Sequence, residues 1–487
     1  MSKLKRLLRA MSHLKDRILV LIFLVICVIV YSVISIRSHE QFQTFGWDLG
    51  YFDQLIWKVS RGIYPFSTLS QVNLLAGHFA PILFLFAPLY WIWSDPRMLL
   101  IAQSALMVFA AWPLYLLAFE KTQNKLFSFV VVFSYLFFIG TQWSILNEFH
   151  EITVVPLFLA MIFYALEKSK KVMFWLGIIG LFFAKEEIAI LVAAIGLMIF
   201  LYFKKKKLGI SLVIFSFLFF FFLTNFFMPA ISEKGIYQHE HLSSVAKTPQ
   251  EFLLKIIVDP FFALRSLVTP PEKIKTLASS LLSFSLLPIF APLGILLPLI
   301  EQFLIRFLYT GPQYTFWQNV NHHAAPTAIL LAISSIYGAT ALIKKVHLSK
   351  KRLLQIITVL IFVTIVGQDI LFKAPIHSIF KKQFYETQPW MRDNSILLTK
   401  VNDFSPDVSV ATQNSLFPHL SQREKIYLLP ELNDAEFIMI DLHDGPNKYA
   451  PLSRNEMKEL IDGLTVDGKF TIVDKQGEAV LLQRSNK

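Results

Sequence analysis

Long uncharged stretches constrain this chain more than any other feature. Five of them have at least 19 residues without a charge, and about 20 apolar residues in a helix cross the hydrocarbon core of a bilayer. A chain with several such runs is predicted to be a polytopic membrane protein, built mainly from α-helices. The five runs are Ile18–Ile36, Met98–Phe119, Leu126–Leu146, Leu208–Met228 and Ala324–Ile343.

Further apolar segments are shorter or interrupted by proline. Leu277–Leu308 is expected to form a helical hairpin broken near Pro292. His78–Trp93 contains Pro81 and Pro88 and is predicted to be a re-entrant or interfacial element. Together these segments predict about eleven spans. The remaining short candidates are Ile152–Leu166, Val172–Ala184, Ile188–Phe203 and Leu353–Gln368.

Charge divides the chain into two parts. Residues 1–372 carry 50 charged side chains, whereas the 115 residues of 373–487 carry 30, close to the one quarter usual in soluble domains. We therefore predict a membrane domain over 1–372 and a small α/β domain over 373–487. Its predicted strands are 407–411, 425–429, 436–441, 470–473 and 479–483, with a helix at Arg454–Leu464.

The basic residues of the membrane part lie in short turns between apolar runs. With the N-terminus in the cytoplasm, the stretches 1–17, 120–125, 167–171, 204–207 and 344–352 hold 20 of its 32 Lys and Arg residues. This positive-inside bias predicts a multi-pass protein of the plasma membrane with an extracytoplasmic C-terminal domain. The same placement argues against nucleic acid as a partner, and the single cysteine, Cys27, excludes a disulfide within the chain.

The first outer loop, residues 37–77, contains two carboxylates among aromatic residues and glycines, in the sequence Phe-Gly-Trp-Asp-Leu-Gly-Tyr-Phe-Asp-Gln at 45–54. A carboxylate at a membrane surface can act as a general base, which makes Asp48 and Asp53 candidate catalytic residues. An ordinary interfacial loop with an aromatic belt explains the same residues.

Other ionisable residues fall on the same predicted outer side. Such groups at the end of a helix bundle are candidates for substrate binding, although polar turns between helices have similar compositions. Glu148, His150 and Glu151 are also conceivable metal ligands, but their spacing matches no known metal motif. The candidate binding residues are His78, Glu148, His150, Lys185, Glu186, His322 and His323.

The motif at 45–54 resembles the signature of a family of uncharacterised bacterial and archaeal membrane proteins, known as domain of unknown function 2079. The resemblance extends from about residue 40 to about residue 445. It is carried further by His78 with Pro81, Pro88-Leu89-Tyr90, Glu148-Phe149-His150, Lys185-Glu186-Glu187 and Pro418-His419-Leu420-Ser421-Gln422-Arg423.

That family is in turn similar to the GT-C superfamily of membrane glycosyltransferases, which includes protein O-mannosyltransferases and the lipid A aminoarabinose transferase. The similarity implies transfer of a sugar from a polyprenyl-phosphate donor to a glycan, lipid or protein acceptor. Asp48 matches the position of the base, with Asp53 as the alternative. Glu148 and His150 match the second acidic turn, and Lys185, His322 and His323 are candidates to neutralise the lipid phosphate.

Two other functions are compatible with the sequence. A transporter or a flippase for lipid-linked sugars would use Glu148, Lys185 and Glu186 as coupling groups, and would place them at mid-membrane. A non-catalytic assembly protein for envelope polysaccharide is the third interpretation. No cofactor is implied with certainty, and a divalent cation is the one candidate.

Overall fold

Membrane-length helices dominate the structure. The computed structural model describes residues 3–237, 245–246, 248, 251, 254–255, 258–311, 313–445 and 449–485. Five of the helices in these ranges are long and apolar enough to cross a bilayer. They are Leu14–Glu40, which ends the helix Lys3–Glu40, then Arg97–Thr122, Lys206–Ile231, His322–Lys345 and Lys350–Leu371.

Shorter helices complete the bundle. Lys125–Phe137 and Ile139–Leu146 form a sixth candidate span, bent by 51°. The predicted mainly α membrane bundle is confirmed, whereas the count of about eleven spans is not, because several predicted spans are helices of 12 to 15 residues. These shorter helices are Val155–Lys168, Lys171–Phe182, Ile188–Leu201 and Leu293–Phe307.

The helix Ala325–Lys345 lies at the centre of the bundle. The span that contains it is 78% buried, against 22% for Lys206–Ile231 and 33% for Lys350–Leu371, which turn most of their surface outward. Small residues permit this central position, since a Cβ atom at Gly338 would lie 1.9 Å from the carbonyl oxygen of Leu287. The apolar periphery is the lipid-facing surface.

Three of the five basic stretches lie together at one end of the bundle. Three salt bridges join the first helix to the turn 120–125, and that turn to the turn 167–171. This grouping agrees with the predicted topology, in which these turns share the cytoplasmic side. The pairs are Lys125–Asp16, Lys121–Glu167 at 3.0 Å and Lys168–Glu120 at 3.1 Å.

The proline-containing segments behave as their sequences predict. Glu272–Ser283 and Leu293–Phe307 are separated by a 3-10 turn, and Pro292 caps the second helix. Within His78–Trp93 only short helical turns form, Pro81–Phe86 and Leu89–Ile92. His78 at one end contacts Glu186, and Ser94, directly after the other end, contacts Gln422. Both partners lie on the predicted outer side, which agrees with a segment that does not cross the membrane.

The C-terminal part contains a five-stranded mixed sheet. Its strands are β3 (Val410–Thr412), β4 (Ile426–Leu428), β5 (Phe437–Asp441), β6 (Phe470–Gln476) and β7 (Ala479–Arg484), in the order β4-β3-β5-β7-β6. β1 (Phe66–Ser67) and β2 (Val72–Asn73) form a separate hairpin in the loop 37–77. All five predicted C-terminal strands are present.

Helices cover this sheet. Arg454–Val466 begins with a capping box, in which Ser453 and Glu456 exchange side-chain-to-backbone hydrogen bonds. β3 runs parallel to β4 and to β5, while β7 runs antiparallel to β5 and β6.

Short helices and helical turns occur in both parts of the chain. They are Tyr51–Ser60, Leu74–Gly77, Glu151–Val154, Met228–Ile231, Pro260–Val268, Tyr314–Phe316, Pro375–Phe380, Lys382–Tyr385, Pro389–Asn402 and Phe417–Leu420.

Candidate functional site

The motif at 45–54 wraps around one buried carboxyl group. Residues Gly46–Gly50 form a single π-helical turn. Oε2 of Glu148 accepts hydrogen bonds from the backbone N–H groups of Phe45, at 2.7 Å, and Leu49, at 3.1 Å. Glu148 itself has a left-handed backbone, with φ of 56°. The second acidic turn therefore shapes the loop that carries Asp48.

Asp48 points away from this loop toward a group of histidines. Its Oδ1 lies 3.4 Å from Nε2 of His150, and its side chain is 37% exposed. The ring of His150 stacks on that of His322 with 3.3 Å between centroids, and His322 contacts His323. Nε2 of His150 is buried and forms no hydrogen bond with a described residue. The site thus offers one accessible carboxylate beside an unsatisfied imidazole nitrogen.

The carboxyl groups of Asp48 and Glu148 lie in different environments. Burial raises the pKa of Glu148 well above its usual range, and the nearby charge of Asp48 raises it further, against the two N–H donors. Burial lowers the pKa of His150, although Asp48 and Glu151 partly offset that effect. Glu148 is buried and Asp48 is exposed, so Asp48 is the one of the two that a substrate can reach.

Lys185 and Glu186 belong to an adjoining buried network. Nζ of Lys185 lies 3.2 Å from Glu151 and 3.5 Å from Glu187, and Lys185 is 2% exposed. Burial disfavours both charges, but the opposite charges outweigh it. The pKa of Lys185 therefore lies above its usual value and that of Glu151 below. Direct contact between Lys185 and a lipid phosphate would require these pairs to open.

His78 joins the same network through Glu186. Glu186 accepts hydrogen bonds from His78 Nδ1 at 3.2 Å, from the backbone N–H of Phe79 at 2.9 Å and from the Tyr237 hydroxyl at 3.2 Å. Burial and Lys185 lower the pKa of His78, but Glu186 outweighs them and the pKa ends above its ordinary value. This network fixes the Pro-rich segment to the turn Lys185–Glu187.

Asp53 occupies a separate, closed position. Its carboxylate is 0% exposed and accepts hydrogen bonds from the hydroxyls of Tyr90 and Ser421 and from the amide of Gln422. Burial raises the pKa of Asp53 to about 7, against these hydrogen bonds. This geometry does not favour Asp53 as an alternative base. It joins the outer loop to the C-terminal domain.

Two glycines of the motif allow the C-terminal domain to approach closely. The N–H of Gly46 donates to the side chain of Asn414 at 2.9 Å. A Cβ atom at Gly50 would lie 2.5 Å from the ring of Phe417. Because no larger residue fits there, the Phe-Gly-Trp-Asp-Leu-Gly sequence is adapted to a contact with residues 414–417.

Two buried polar residues support the site and were missed from the sequence. Gln103 accepts hydrogen bonds from the His150 N–H at 2.9 Å and the Thr153 hydroxyl at 3.0 Å. Arg306 is 2% exposed, and its guanidinium donates to the carbonyls of Phe316, Trp317 and Gln318, just before His322 and His323. The signal available was a polar or charged residue inside an apolar helix.

The candidate residues therefore separate into three neighbouring sets. Asp48, Glu148, His150, His322 and His323 share the first, and His78, Lys185 and Glu186 share the second. Asp53 is alone in the third. In the described residues, no three His, Cys, Asp or Glu side chains are arranged to hold a metal ion.

These features define a multi-span membrane protein whose polar site lies at one end of the bundle, against a C-terminal sheet domain. The chain belongs to the family of predicted membrane proteins DUF2079, whose model matches residues 38–481. This confirms the family resemblance of the motif. No curated protein sequence matches the chain.

Solved structures show the same fold. The chain is similar to ArnT from Cupriavidus metallidurans bound to undecaprenyl phosphate, with a TM-score of 0.55 and 10% identity over 95% of this chain and 97% of that one. The apo state of that protein matches with a TM-score of 0.50 and 9% identity over the same shares. The similarity of fold covers both the membrane part and the C-terminal domain of this chain.

Proposed function

We propose that this protein is a GT-C-type glycosyltransferase that moves a sugar from a polyprenyl-phosphate donor to an acceptor at the extracytoplasmic face of the membrane. The observation that carries the proposal is the pairing of exposed Asp48 with buried His150, at 3.4 Å, in a fold shared with a protein that binds undecaprenyl phosphate. A polyprenyl lipid partitions into the bilayer, so a site at the end of a helix bundle lets the sugar meet a polar acceptor.

In this proposal Asp48 is the general base. Its exposed carboxylate takes the proton of an acceptor hydroxyl as that oxygen attacks the anomeric carbon, and the bond to the lipid phosphate breaks. His150 hydrogen-bonds to Asp48 or to the acceptor through Nε2 and orients the pair. Glu148 is a positioning residue, since it holds the turn that presents Asp48.

The donor phosphate is assigned to the neighbourhood of His322 and His323. These imidazoles lie beside the Asp48–His150 pair, and the buried guanidinium of Arg306 holds the segment before them. Arg306 bonds to carbonyls and forms no salt bridge with a described residue. Its uncompensated positive charge favours an anion near this segment.

The placement of ionisable groups favours a transferase over a transporter. Glu148 and His150 lie in the connection between two helices, Lys185 and Glu186 lie in another, and none is at the middle of a membrane-length helix. A carrier with coupling groups would need them at mid-membrane.

The test is transfer of labelled sugar from polyprenyl-phosphate donors by the purified protein in lipid nanodiscs. We expect Asp48→Asn to reduce transfer by at least a hundredfold, since general base catalysis contributes about 10²–10⁴. Asp407→Asn, at an exposed position of the C-terminal domain, is the matched control and should leave transfer unchanged. Full transfer by Asp48→Asn would refute the assignment of the base.

A further inference from the structure

A large groove lies between the outer loop and the C-terminal domain, beside the motif that carries Asp48. Its volume is about 1160 Å³, which exceeds the roughly 300–1,000 Å³ of typical small-molecule sites. Trp47 lines one wall, and Asp48 is the next residue along the chain, with about 3.8 Å between their Cα atoms. Asp48 itself does not line the groove, so a molecule bound there lies beside the loop that carries the proposed base.

The charged residues that line the groove give it a slight net negative charge. Five charged residues line it: Lys58, Glu424, Lys425, Glu431 and Asp434. Lys425 is paired with Asp434 at 2.5 Å, and Lys58 donates to the carbonyl of Phe66 at 2.7 Å. Glu424 and Glu431 form no salt bridge or side-chain hydrogen bond with a described residue. Two carboxylates thus remain as acceptors for hydroxyl or ammonium groups, and anionic ligands are disfavoured.

One wall presents an aromatic face. The side chain of Trp47 is 54% exposed, although a large apolar ring gains free energy from burial. The negative face of an indole attracts polarised C–H groups and cations. An exposed aromatic surface in a groove that also holds carboxylates suits a sugar ring, which presents C–H groups on one side and hydroxyls around its edge.

The edge of the sheet at this groove is closed to a peptide strand. β4 is an edge strand and lines the groove through Tyr427 and Leu428. At Ile426, however, the hydroxyl of Thr68 accepts from the backbone N–H at 3.1 Å and donates to the backbone carbonyl at 2.5 Å. A peptide that binds by strand addition needs these groups, so the edge is blocked at that residue.

We propose that this groove binds the acceptor, and that the acceptor is an oligosaccharide that is neutral or carries amino groups. The role as acceptor rests on the proposed function; the affinity of the groove for the oligosaccharide does not. Its size accommodates several sugar units, its carboxylates bind hydroxyls or ammonium groups, and Trp47 supplies the stacking surface.

The experiment is isothermal titration calorimetry with the full chain in nanodiscs. The probes are N-acetylchitotetraose, the glucosamine tetramer, a heparin tetrasaccharide and a decapeptide of Gly, Ser and Lys. We expect the first two to bind saturably, and the heparin fragment to bind at least tenfold more weakly. Trp47→Ala should weaken binding about tenfold, Trp47→Phe should restore most of it, and Trp91→Ala, at an exposed tryptophan outside the groove, should not change it.

A second variant tests the carboxylates. Combined Glu424→Gln and Glu431→Gln should remove any preference for the glucosamine tetramer over N-acetylchitotetraose. The proposal is overturned if neither tetramer binds, if Trp47→Ala leaves their binding intact, or if the decapeptide binds with the same dependence on Trp47. Oligosaccharide binding without any sugar transfer would overturn the proposed function, and with it the role as acceptor, but would leave the affinity of the groove for the oligosaccharide standing. Transfer without oligosaccharide binding would overturn that affinity and leave the proposed function standing.

Discussion

The hydroxyl of Ser421 donates a hydrogen bond of 2.6 Å to the buried carboxylate of Asp53, across 368 residues of sequence. This bond ties the loop after the first span to the C-terminal domain. The carboxyl group is fully buried and its pKa is raised to about 7. We therefore expect the junction between the two parts of the protein to respond to pH.

The first prediction concerns that sensitivity. With a pKa of 3.8 in the unfolded chain and about 7 in the folded one, Asp53 binds a proton in the folded state between these values. Stability should therefore fall as the pH rises from 4 to 7, and then level off. Thermal unfolding of wild type and Asp53→Asn between pH 5 and 8 measures this dependence. The slope of melting temperature against pH should be smaller in the variant. Identical slopes would contradict the raised pKa of Asp53.

The second prediction concerns Glu148. In Glu148→Ala the N–H groups of Phe45 and Leu49 lose their acceptor, and each unsatisfied buried group costs about 1–3 kcal/mol. Glu148→Gln keeps an acceptor oxygen and is the matched control. We expect a clear drop in melting temperature and transfer for the alanine variant, and a much smaller one for glutamine. Equal effects of the two substitutions would show that the negative charge, rather than the acceptor, matters.

The third prediction concerns Lys185. Lys185→Gln leaves Glu151 buried without its cation, and breaking a buried pair costs about 3–5 kcal/mol. Lys168→Gln removes an exposed pair of similar length, Lys168–Glu120 at 3.1 Å, and should cost no more than about 1 kcal/mol. Denaturant unfolding in detergent measures both. Similar losses in the free energy of unfolding of the two variants would show that the network of Lys185 and Glu151 is solvated.

The fourth prediction concerns His150. His150→Phe keeps a ring to stack against His322 but removes Nε2, the atom that faces Asp48. We expect transfer to fall about tenfold, the value of a hydrogen bond of about 1–2 kcal/mol, with little change in melting temperature. Transfer at the wild-type rate would show that Nε2 has no part in the reaction.

The fifth prediction concerns orientation. After replacement of the sole native cysteine by Cys27→Ser, a membrane-impermeant maleimide should label Asp407→Cys in intact cells. Lys205→Cys, in a basic turn, should react only after the cells are made permeable, because basic turns face the cytoplasm. The opposite pattern would invert the topology and place the proposed site inside the cell.

Local patterns in the sequence were sufficient to predict much of the fold. Uncharged runs correspond to the long helices, and each of the five strands predicted for the C-terminal domain overlaps a strand of the sheet. The span count was not reproduced, because helices such as Lys171–Phe182 and Ile188–Leu201 are short and their boundaries depend on packing. Length alone does not decide whether such helices cross the membrane.

The site was only partly predictable. Asp48, Glu148 and His150 were identified as candidates, yet nothing local indicates that Glu148 binds the loop of Asp48 or that Asn414 and Phe417 close over Gly46 and Gly50. Such contacts depend on the tertiary arrangement of distant segments. The sequence does not mark Arg306 as a site residue, because it lies in an apolar stretch whose prolines indicate only a broken hairpin.

The tight fit of Phe417 against Gly50 also bears on how the protein is made. The first span and the loop that carries Asp48 leave the ribosome long before residues 414–417 are synthesised. The contacts of Gly46 and Gly50 with Asn414 and Phe417 therefore form only after those later residues have been translated and have folded back on the loop. A nascent or truncated chain that ends before residue 410 carries Asp48 without Asn414 and Phe417, so biogenesis itself delays the assembly of the site until the membrane bundle is in place.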